Sequence, residues 1–175
     1  MKKSFTLIEL IIVMILISTV SFLILPSFNL KKEKEYKVSL SNIKEFMLKR
    51  FSYEETLSLV CFDDGSKECY IFIDDNINKD IKIKNLFTQI PAVYNYGETL
   101  SSYEFRKIRF DNIDYEPFFE LRISSDKKHK DIIVDTLDEK VYLFSPIFKN
   151  AKKYKNTNEI IEKFSENEIE VRDAL

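Results

Sequence analysis

The chain begins with MKKSFTLIELIIVMILISTVSFLILPSF (residues 1–28), an apolar stretch with one charged side chain beyond its two lysines. That side chain is Glu9, the one ionisable group between Lys3 and Lys31. Residues 7–28 are long enough to cross a bilayer as a helix, which takes ~20 apolar residues. A carboxylate in lipid is costly and indicates a function, because the charge needs a partner. The stretch therefore predicts a membrane segment with a functional acidic residue.

The start of this stretch contains a recognisable processing motif. The run Lys2-Lys3-Ser4-Phe5-Thr6-Leu7-Ile8-Glu9 resembles the cleavage and methylation signal of type IV prepilins and type II secretion pseudopilins. The resemblance implies that a membrane prepilin peptidase cuts between Ser4 and Phe5 and methylates the new N-terminal Phe5. Ser4 stands where the family usually has glycine. Pro26 falls where the family's membrane helix usually carries a proline, and the resemblance covers roughly the first 50 residues.

The resemblance also suggests a role for Glu9. Cleavage before Phe5 creates a positive α-amino group in the apolar layer, and Glu9 of a neighbouring subunit is its expected partner. Side-by-side packing would then neutralise two costly charges together. The alternative is a carboxylate that reaches the lipid headgroups. The expected partners are the prepilin peptidase, other pilins or pseudopilins, and the inner-membrane assembly platform.

The charges around the apolar stretch predict its orientation. Two lysines precede it, so the positive-inside rule places the N-terminus in the cytoplasm and the rest of the chain in the periplasm. No Ala-x-Ala-like site follows it, as would be expected after a secretory signal. We expect a single-pass inner-membrane protein that joins a pseudopilus after processing.

An amphipathic pattern follows the apolar stretch. Residues 30–58 contain no Gly or Pro. Pro26 predicts a bend in a continuing helix, and the alternative is a helix stop. Apolar side chains recur at helical steps at Tyr36, Leu40, Ile43, Met47 and Phe51. The sequence predicts one long helix, with a membrane half (5–28) after the leader (1–4) and an amphipathic half (29–56).

Strand signals dominate the remaining residues, 57–175. Alternating apolar residues and turn sequences predict strands at 57–62, 69–73, 80–87, 103–110, 118–123, 131–135 and 140–144. We expect 57–62 to pair with 69–73, 103–110 with 118–123, and 131–135 with 140–144. Asn156 and Glu159 have the spacing of a capping box before a short helix at 158–164. The predicted fold class is α+β and type IV pilin-like, with a long N-terminal membrane helix packed on an antiparallel β-sheet domain.

The two cysteines, Cys61 and Cys69, lie on opposite sides of the first predicted hairpin. They can face each other across the strands, and the compartment implied by the anchor is oxidising. The sequence predicts a disulfide, with two buried thiols as the alternative. A zinc site is disfavoured, because a closed site needs four ligands.

One segment has the pattern of half a calcium loop. Oxygen-bearing side chains alternate at Asp74, Asn76, Asn78 and Asp80. The second half fails, because Lys79 occupies the glycine position. A polar turn is the favoured interpretation, and calcium is the one cofactor considered.

Two basic segments, 127–130 and 149–155, invite a nucleic-acid interpretation. The second contains Tyr154, and a basic stripe with an aromatic residue can hold phosphates and stack a base. The net charge is −2, and −4 without the two leader lysines, so long-range electrostatics would not attract DNA. Solvated loops are favoured.

The composition indicates no enzyme. Two glycines cannot form a Gly-rich phosphate loop, and the single histidine lies in a run of lysines. Three functional classes remain: a structural subunit of a pseudopilus or pilus in secretion, pilus assembly or DNA uptake; a minor subunit that binds DNA or cargo; and an unrelated single-span protein with a periplasmic domain. The aromatic-rich, Gly-poor domain favours a minor subunit by analogy.

Overall fold

A computed structural model describes residues 7–24, 38–63, 67–110 and 113–173. The chain divides into two compact units, Met1–Lys32 and Glu33–Leu175. The first unit contains helix α1 (Leu7–Ile24), which is apolar on all sides and exposes every side chain from Leu7 to Val20. Ser4, Phe5, Pro26 and Tyr36 lie outside the described residues, as do residues 64–66 of the first predicted turn.

The prediction of a long N-terminal helix packed on a sheet is wrong. Helix α1 has 18 residues and helix α2 (Ile43–Arg50) only eight, and residues 38–42 between them are not helical. The fold is mostly β, with three helices in the described residues. None of these helices combines the length and the apolar character needed to cross a membrane.

Local hydrogen bonds explain why the amphipathic helix is short. The side-chain Oδ1 of Asn42 accepts hydrogen bonds from the Ser39 N–H (3.0 Å) and hydroxyl (3.2 Å), and the Asn42 N–H donates to the Ser39 carbonyl (3.1 Å). Short polar side chains compete in this way with helical hydrogen bonds, and so they favour turns. At the other end Phe51 is extended, with φ −116° and ψ 134°. The helix therefore begins after Asn42 and ends at Arg50.

The predicted apolar stripe is buried although its helix is short. Leu40, Ile43 and Met47 all belong to the main core, and Phe51 packs at its margin. Tertiary packing of an amphipathic face stabilises a helix that would be too short to persist alone.

The described part of the second unit contains ten strands: β1 (Thr56–Phe62), β2 (Cys69–Ile73), β3 (Asn76–Ile83), β4 (Ala92–Asn95), β5 (Ile108–Phe110), β6 (Ile113–Tyr115), β7 (Pro117–Ser124), β8 (Ile132–Asp135), β9 (Val141–Phe144) and β10 (Lys152–Tyr154). They form a four-stranded sheet of order β3-β2-β1-β7, a second of order β10-β9-β8-β4, and a β5-β6 hairpin. All of these pairs are antiparallel.

The main core combines apolar residues from both sheets and α2. Successive side chains of β1 point to opposite faces of the sheet. Leu57, Leu59 and Cys61 pack in the main core, and Val60 and Phe62 pack in a smaller cluster on the opposite face. A third cluster packs β8 and β9 against helix α3 (Thr157–Asp173). Because β1 is buried on both faces, its residues from Leu57 to Phe62 are all apolar except Ser58, which is also buried.

Two of the three predicted strand pairs are present, and one is wrong. β1 pairs with β2 and β8 pairs with β9. β7 does not pair with residues 103–110; it pairs with β1, with Leu121 opposite Leu59. The buried alternate residues of β7 match the buried face of β1, and this long-range match outweighs proximity in sequence.

Helix α3 extends beyond the predicted 158–164, and its first turn is capped by the Asn156 side chain, which accepts the Glu159 N–H at 3.0 Å.

Candidate functional site

The processing motif and Glu9 belong to the first unit. Glu9 lies in the first turn of α1, and its side chain is exposed. The predicted cleavage site between Ser4 and Phe5 lies outside the described residues, so the structure gives no geometry for it.

The two cysteines form a disulfide. The β1–β2 register places Cys61 directly opposite Cys69, with their Cα atoms 4.1 Å apart. Both residues are fully buried in the main core. The bond therefore crosslinks the first hairpin from the inside, where solvent does not reach it.

The calcium-loop candidates lie on a β-hairpin. Asp74 and Asp75 form the two-residue turn between β2 and β3, with φ values of 50° and 61°. The Asp74 carboxylate accepts the backbone N–H groups that lead into β1, those of Glu54 (3.2 Å), Glu55 (2.7 Å) and Thr56 (2.9 Å). These hydrogen bonds, that from Thr56 foremost, lower the pKa of Asp74. Asp74 thus fixes the start of β1.

The side chains of two further candidates, Asn76 and Asn78, form hydrogen bonds within the same hairpin. The Asn76 side-chain amide donates to the Asp74 carbonyl at 3.0 Å, and the Asn78 Oδ1 accepts the Asp80 N–H at 3.1 Å. In the described part of the chain, no three His, Cys, Asp or Glu side chains are grouped as a metal site would require.

A charged network starts from the neighbouring residue, Asp75. Its carboxylate accepts two hydrogen bonds from Arg122, Nη1–Oδ1 at 2.9 Å and Nη2–Oδ2 at 3.2 Å, and one from Nη2 of Arg106 at 2.8 Å. Arg106 Nε also donates to Glu120 Oε1 at 3.1 Å. Burial raises the pKa of Asp75, but the two arginines outweigh this effect and hold the pKa below its ordinary value. Asp75 thereby joins the β2–β3 turn to β7.

A cavity of about 390 Å³ lies beside this network, and we call it the β7 groove. Its lining consists of Tyr103, Glu104, Arg106, residues 120–122 and 124 of β7, and Lys128, His129, Lys130 and Ile132. The first predicted basic segment therefore lines a cavity, next to two arginines distant in sequence.

Charges of both signs line the β7 groove, with cations in excess. Four cationic side chains, Arg106, Arg122, Lys128 and Lys130, stand against two carboxylates, Glu104 and Glu120. Lys128 pairs with Asp126 at 3.0 Å, and the Lys130 ammonium lies 5.8 Å from the centre of the Tyr103 ring. Three of the four cations are thus already paired, Arg106 and Arg122 with Asp75 and Lys128 with Asp126.

His129 is buried, with an exposed fraction of 9%. Its Nδ1 donates to the Lys130 carbonyl at 2.8 Å, because that oxygen can only accept. Its Nε2 has no hydrogen-bond partner among the described residues. Burial lowers the pKa of His129 and outweighs the hydrogen bond to the Lys130 carbonyl, which raises it; the Lys44 charge lowers it further and Asp131 raises it. The ring is therefore a neutral acceptor at neutral pH.

The second basic segment, 149–155, does not form a basic stripe with an open aromatic face. Lys149 pairs with Glu45 at 3.0 Å. The Lys152 ammonium lies 3.7 Å from the centre of the Phe148 ring, and the Tyr154 ring has the Lys163 ammonium 4.9 Å from its centre. The aromatic face of Tyr154, which was predicted to stack a base, therefore already contacts a cation of this chain.

Sequence reasoning missed Asp75, Arg106, Glu120 and Arg122 as a group. Arg106 and Arg122 lie 31 and 47 residues from Asp75 along the chain, so no local spacing reveals the network. The one local signal was the Asp74-Asp75 pair, a sequence suited to a hairpin turn with positive φ.

No protein-family model, no curated protein and no solved structure matches this chain.

Proposed function

We propose that the chain is a minor pseudopilin or pilin-like structural subunit of a pseudopilus, in a type II secretion, type IV pilus or related DNA-uptake system. One observation carries the proposal: the processing motif at residues 2–9 runs directly into a helix that is apolar on all sides and contains Glu9 as its only charge. A helix of this kind needs apolar surroundings on every side. Lipid before assembly and other subunits after assembly supply them.

In this proposal the two units have separate tasks. The N-terminal segment, of which α1 is the described part, anchors the subunit in the inner membrane with its N-terminus in the cytoplasm. After cleavage by the prepilin peptidase, Glu9 pairs with the Phe5 amine of a neighbouring subunit. The disulfide-linked domain lies in the periplasm, where the redox conditions preserve the Cys61–Cys69 bond.

A second candidate is a minor subunit that binds cargo or DNA, and the β7 groove favours it. The groove is large enough for a ligand and has an excess of cations. Two carboxylates in its lining and the net charge of −2 weigh against DNA.

The intact mass of the protein extracted from membranes tests the family assignment. We expect loss of residues 1–4 and gain of one methyl group on Phe5. Ser4→Gly, which restores the residue usual in the family, should be processed at least as completely as the native chain. A mature protein that keeps Met1, or that is cut beyond Phe28, would exclude the proposal and favour an unrelated anchored protein.

Glu9→Ala tests assembly separately from folding. The change removes a charge from the apolar layer, so the subunit should still insert and persist, but the Phe5 amine of the neighbour loses its counter-ion. We expect loss of crosslinking to fibre partners at unchanged subunit abundance. Ser18→Ala on the same helix is the matched neutral control. Incorporation of Glu9→Ala at the native level would refute the proposed pair.

A further inference from the structure

The connection between β7 and β8 begins with a turn that its own hydrogen bonds hold. The Lys128 carbonyl accepts the Ser124 N–H at 2.8 Å and the Ser124 hydroxyl at 2.9 Å, and Asp126 accepts the Lys128 N–H at 3.2 Å. Hydrogen bonds from Ser124 and Lys128 lower the pKa of Asp126 to about 2. The Asp126 carboxylate therefore stays charged in mildly acidic solution and continues to hold this turn.

The next three residues, 129–131, are held in a different way. Strand pairing resumes only at Ile132, and among the described residues no backbone–backbone hydrogen bond fixes 129–131. The His129 ring is buried, and its centre lies 6.4 Å from that of Phe144, which belongs to the main core. The position of this segment therefore depends on a buried side chain that can take up a proton.

The His129 ring has no acceptor for a second N–H. Its Nδ1 already donates to the Lys130 carbonyl, and Nε2, the atom that a further proton would occupy, has no partner in the described part of the chain. A buried donor without an acceptor costs free energy, and a buried charge costs more. Once protonated, the ring is therefore more stable in water than in the core.

Charged groups of other elements lie around this ring or line the same cavity. Lys44 on α2 disfavours the protonated ring, and Asp131 on its own segment favours it. The groove lining adds four cations and two carboxylates, Arg106, Arg122, Lys128, Lys130, Glu104 and Glu120. With the partners of these cations, Asp75 and Asp126, there are four charges of each sign. The groove thus supplies no net charge, and burial is the largest effect on the pKa of His129.

We propose that mild acid releases the segment 129–131, because the protonated His129 ring leaves the core, and that this release opens the β7 groove. The segment supplies His129 and Lys130 to the groove lining, so its release changes the shape of the groove. In water the ring recovers its ordinary affinity for protons. Each pH unit below about 6.5 therefore favours the open form by up to about tenfold, until the lower folded pKa is passed. The inference concerns the domain alone and does not depend on the proposed function.

NMR of the full chain in detergent can follow this ring directly, because the chain has a single histidine. The pH range runs from about 7.5 to about 5, above the ordinary pKa values of carboxylates. We expect the ring signals to change from the neutral form with a proton on Nδ1 to the protonated form, with a midpoint below about 6.5. A soluble, neutral paramagnetic probe should broaden them only at the acidic end, where the ring reaches water.

Amide exchange measures the release of the backbone. Corrected for the intrinsic exchange rate, the exchange of 129–131 should accelerate by up to about tenfold for each unit that the pH falls below about 6.5. Strands β8 and β9 should keep their protection, because their ladder does not involve His129. Acceleration of all three segments together would indicate unfolding of the domain and would overturn the proposal.

Two substitutions assign the effect to the His129 ring. His129→Gln removes the proton site and should make the exchange of 129–131 independent of pH. Lys130→Gln removes an exposed charge from the same segment but keeps the carbonyl that His129 contacts, so it is the matched control and should keep the native pH dependence. If His129→Gln does not fold, the titration and the probe measurement on the native chain decide.

Three results would overturn the proposal. The ring could titrate but stay shielded from the probe, which would show that it is accommodated inside the core. The ring could stay neutral over the whole range, which would exclude a response to mild acid. The exchange of 129–131 could keep its pH dependence in His129→Gln, which would assign that dependence to another group.

Discussion

The helices α1 and α2 follow each other in sequence but need opposite surroundings. Helix α1 is apolar on all sides, and its side chains are exposed up to Val20. Helix α2 buries Ile43 and Met47 completely and turns Lys49 and Arg50 outward. A one-sided helix can be covered by its own domain, whereas a helix that is apolar on every side must be covered by lipid or by other chains.

The two helices also differ in how a charged side chain is accommodated. Lys44 of α2 has an exposed fraction of only 5%, and its Nζ donates to the carbonyls of Pro146 (2.9 Å) and Phe148 (2.8 Å). Burial lowers the pKa of Lys44, and the Asp131 charge opposes this effect. The domain thus supplies hydrogen-bond acceptors for its buried cation. In the proposed function, Glu9 of α1 finds its partner on another subunit.

Matched methionine substitutions should show the largest difference between the helices. Met47→Ala leaves a cavity in the main core and should reduce the free energy of unfolding by about 2–5 kcal/mol. Met14→Ala, at a side chain with an exposed fraction of 63%, should change it by less than about 0.5 kcal/mol. Urea unfolding followed by tyrosine fluorescence measures this, because all nine tyrosines lie at or beyond Tyr36. Equal effects of the two substitutions would contradict the division into two units.

Removal of the disulfide should have the next largest effect, again confined to the domain. The paired change Cys61→Ser and Cys69→Ser frees a loop with a sequence separation of 8. The loop-entropy relation gives a loss of about 2.5 kcal/mol. Tyrosine fluorescence should report this loss, while proteolytic protection of α1 in membranes should stay unchanged. Free thiols in the exported native protein, found by alkylation and peptide mapping, would show that the bond is absent there.

The smallest effect is a pH dependence that should arise in the domain alone. Burial holds the pKa of His129 below its ordinary value of about 6.5. As pH falls through that ordinary value, the unfolded chain binds a proton that the folded chain resists, so stability decreases until the pH passes the lower folded pKa. His129→Gln should remove this slope, which begins as pH falls through the ordinary value.

The His129 experiment has a built-in control. The chain has no other histidine, so the difference between native and variant unfolding curves isolates this ring. The lowered pKa values of Asp74 and Asp75 produce a separate loss of stability in more acidic solution, which both proteins share. A slope that persists in His129→Gln would exclude His129 as its source.

Several local features could be predicted because the interacting residues are close in sequence. The turn sequence after Phe62 and the mainly apolar runs on both sides of it indicate a hairpin, and its register places Cys61 opposite Cys69. Asn156 and Glu159 mark the start of α3 by their spacing. The helical step from Ile43 to Met47 identifies the buried face of α2. In each case turn chemistry or periodicity acts within a few residues.

The length of the amphipathic helix was predicted wrongly for a related reason. The absence of Gly and Pro between residues 30 and 58 favoured one continuous helix. However, side-chain hydrogen bonds between Ser39 and Asn42 form a turn before helix α2. Both residues are tolerated on an exposed helix face, so the sequence pattern did not distinguish a turn from a helix.

By itself, the sequence determined the apolar N-terminal segment with its single carboxylate, the β1–β2 and β8–β9 hairpins, and the buried face of α2, because each depends on neighbours within one element or one turn. Only the tertiary structure decided that β7 pairs with β1, that Asp75 joins Arg106 to Arg122, and that β7 lies beside a groove. These features depend on which buried faces meet across 31 residues or more of chain. Such choices are made by the packing of the whole core, where many alternating strands are acceptable partners and only one arrangement buries them all.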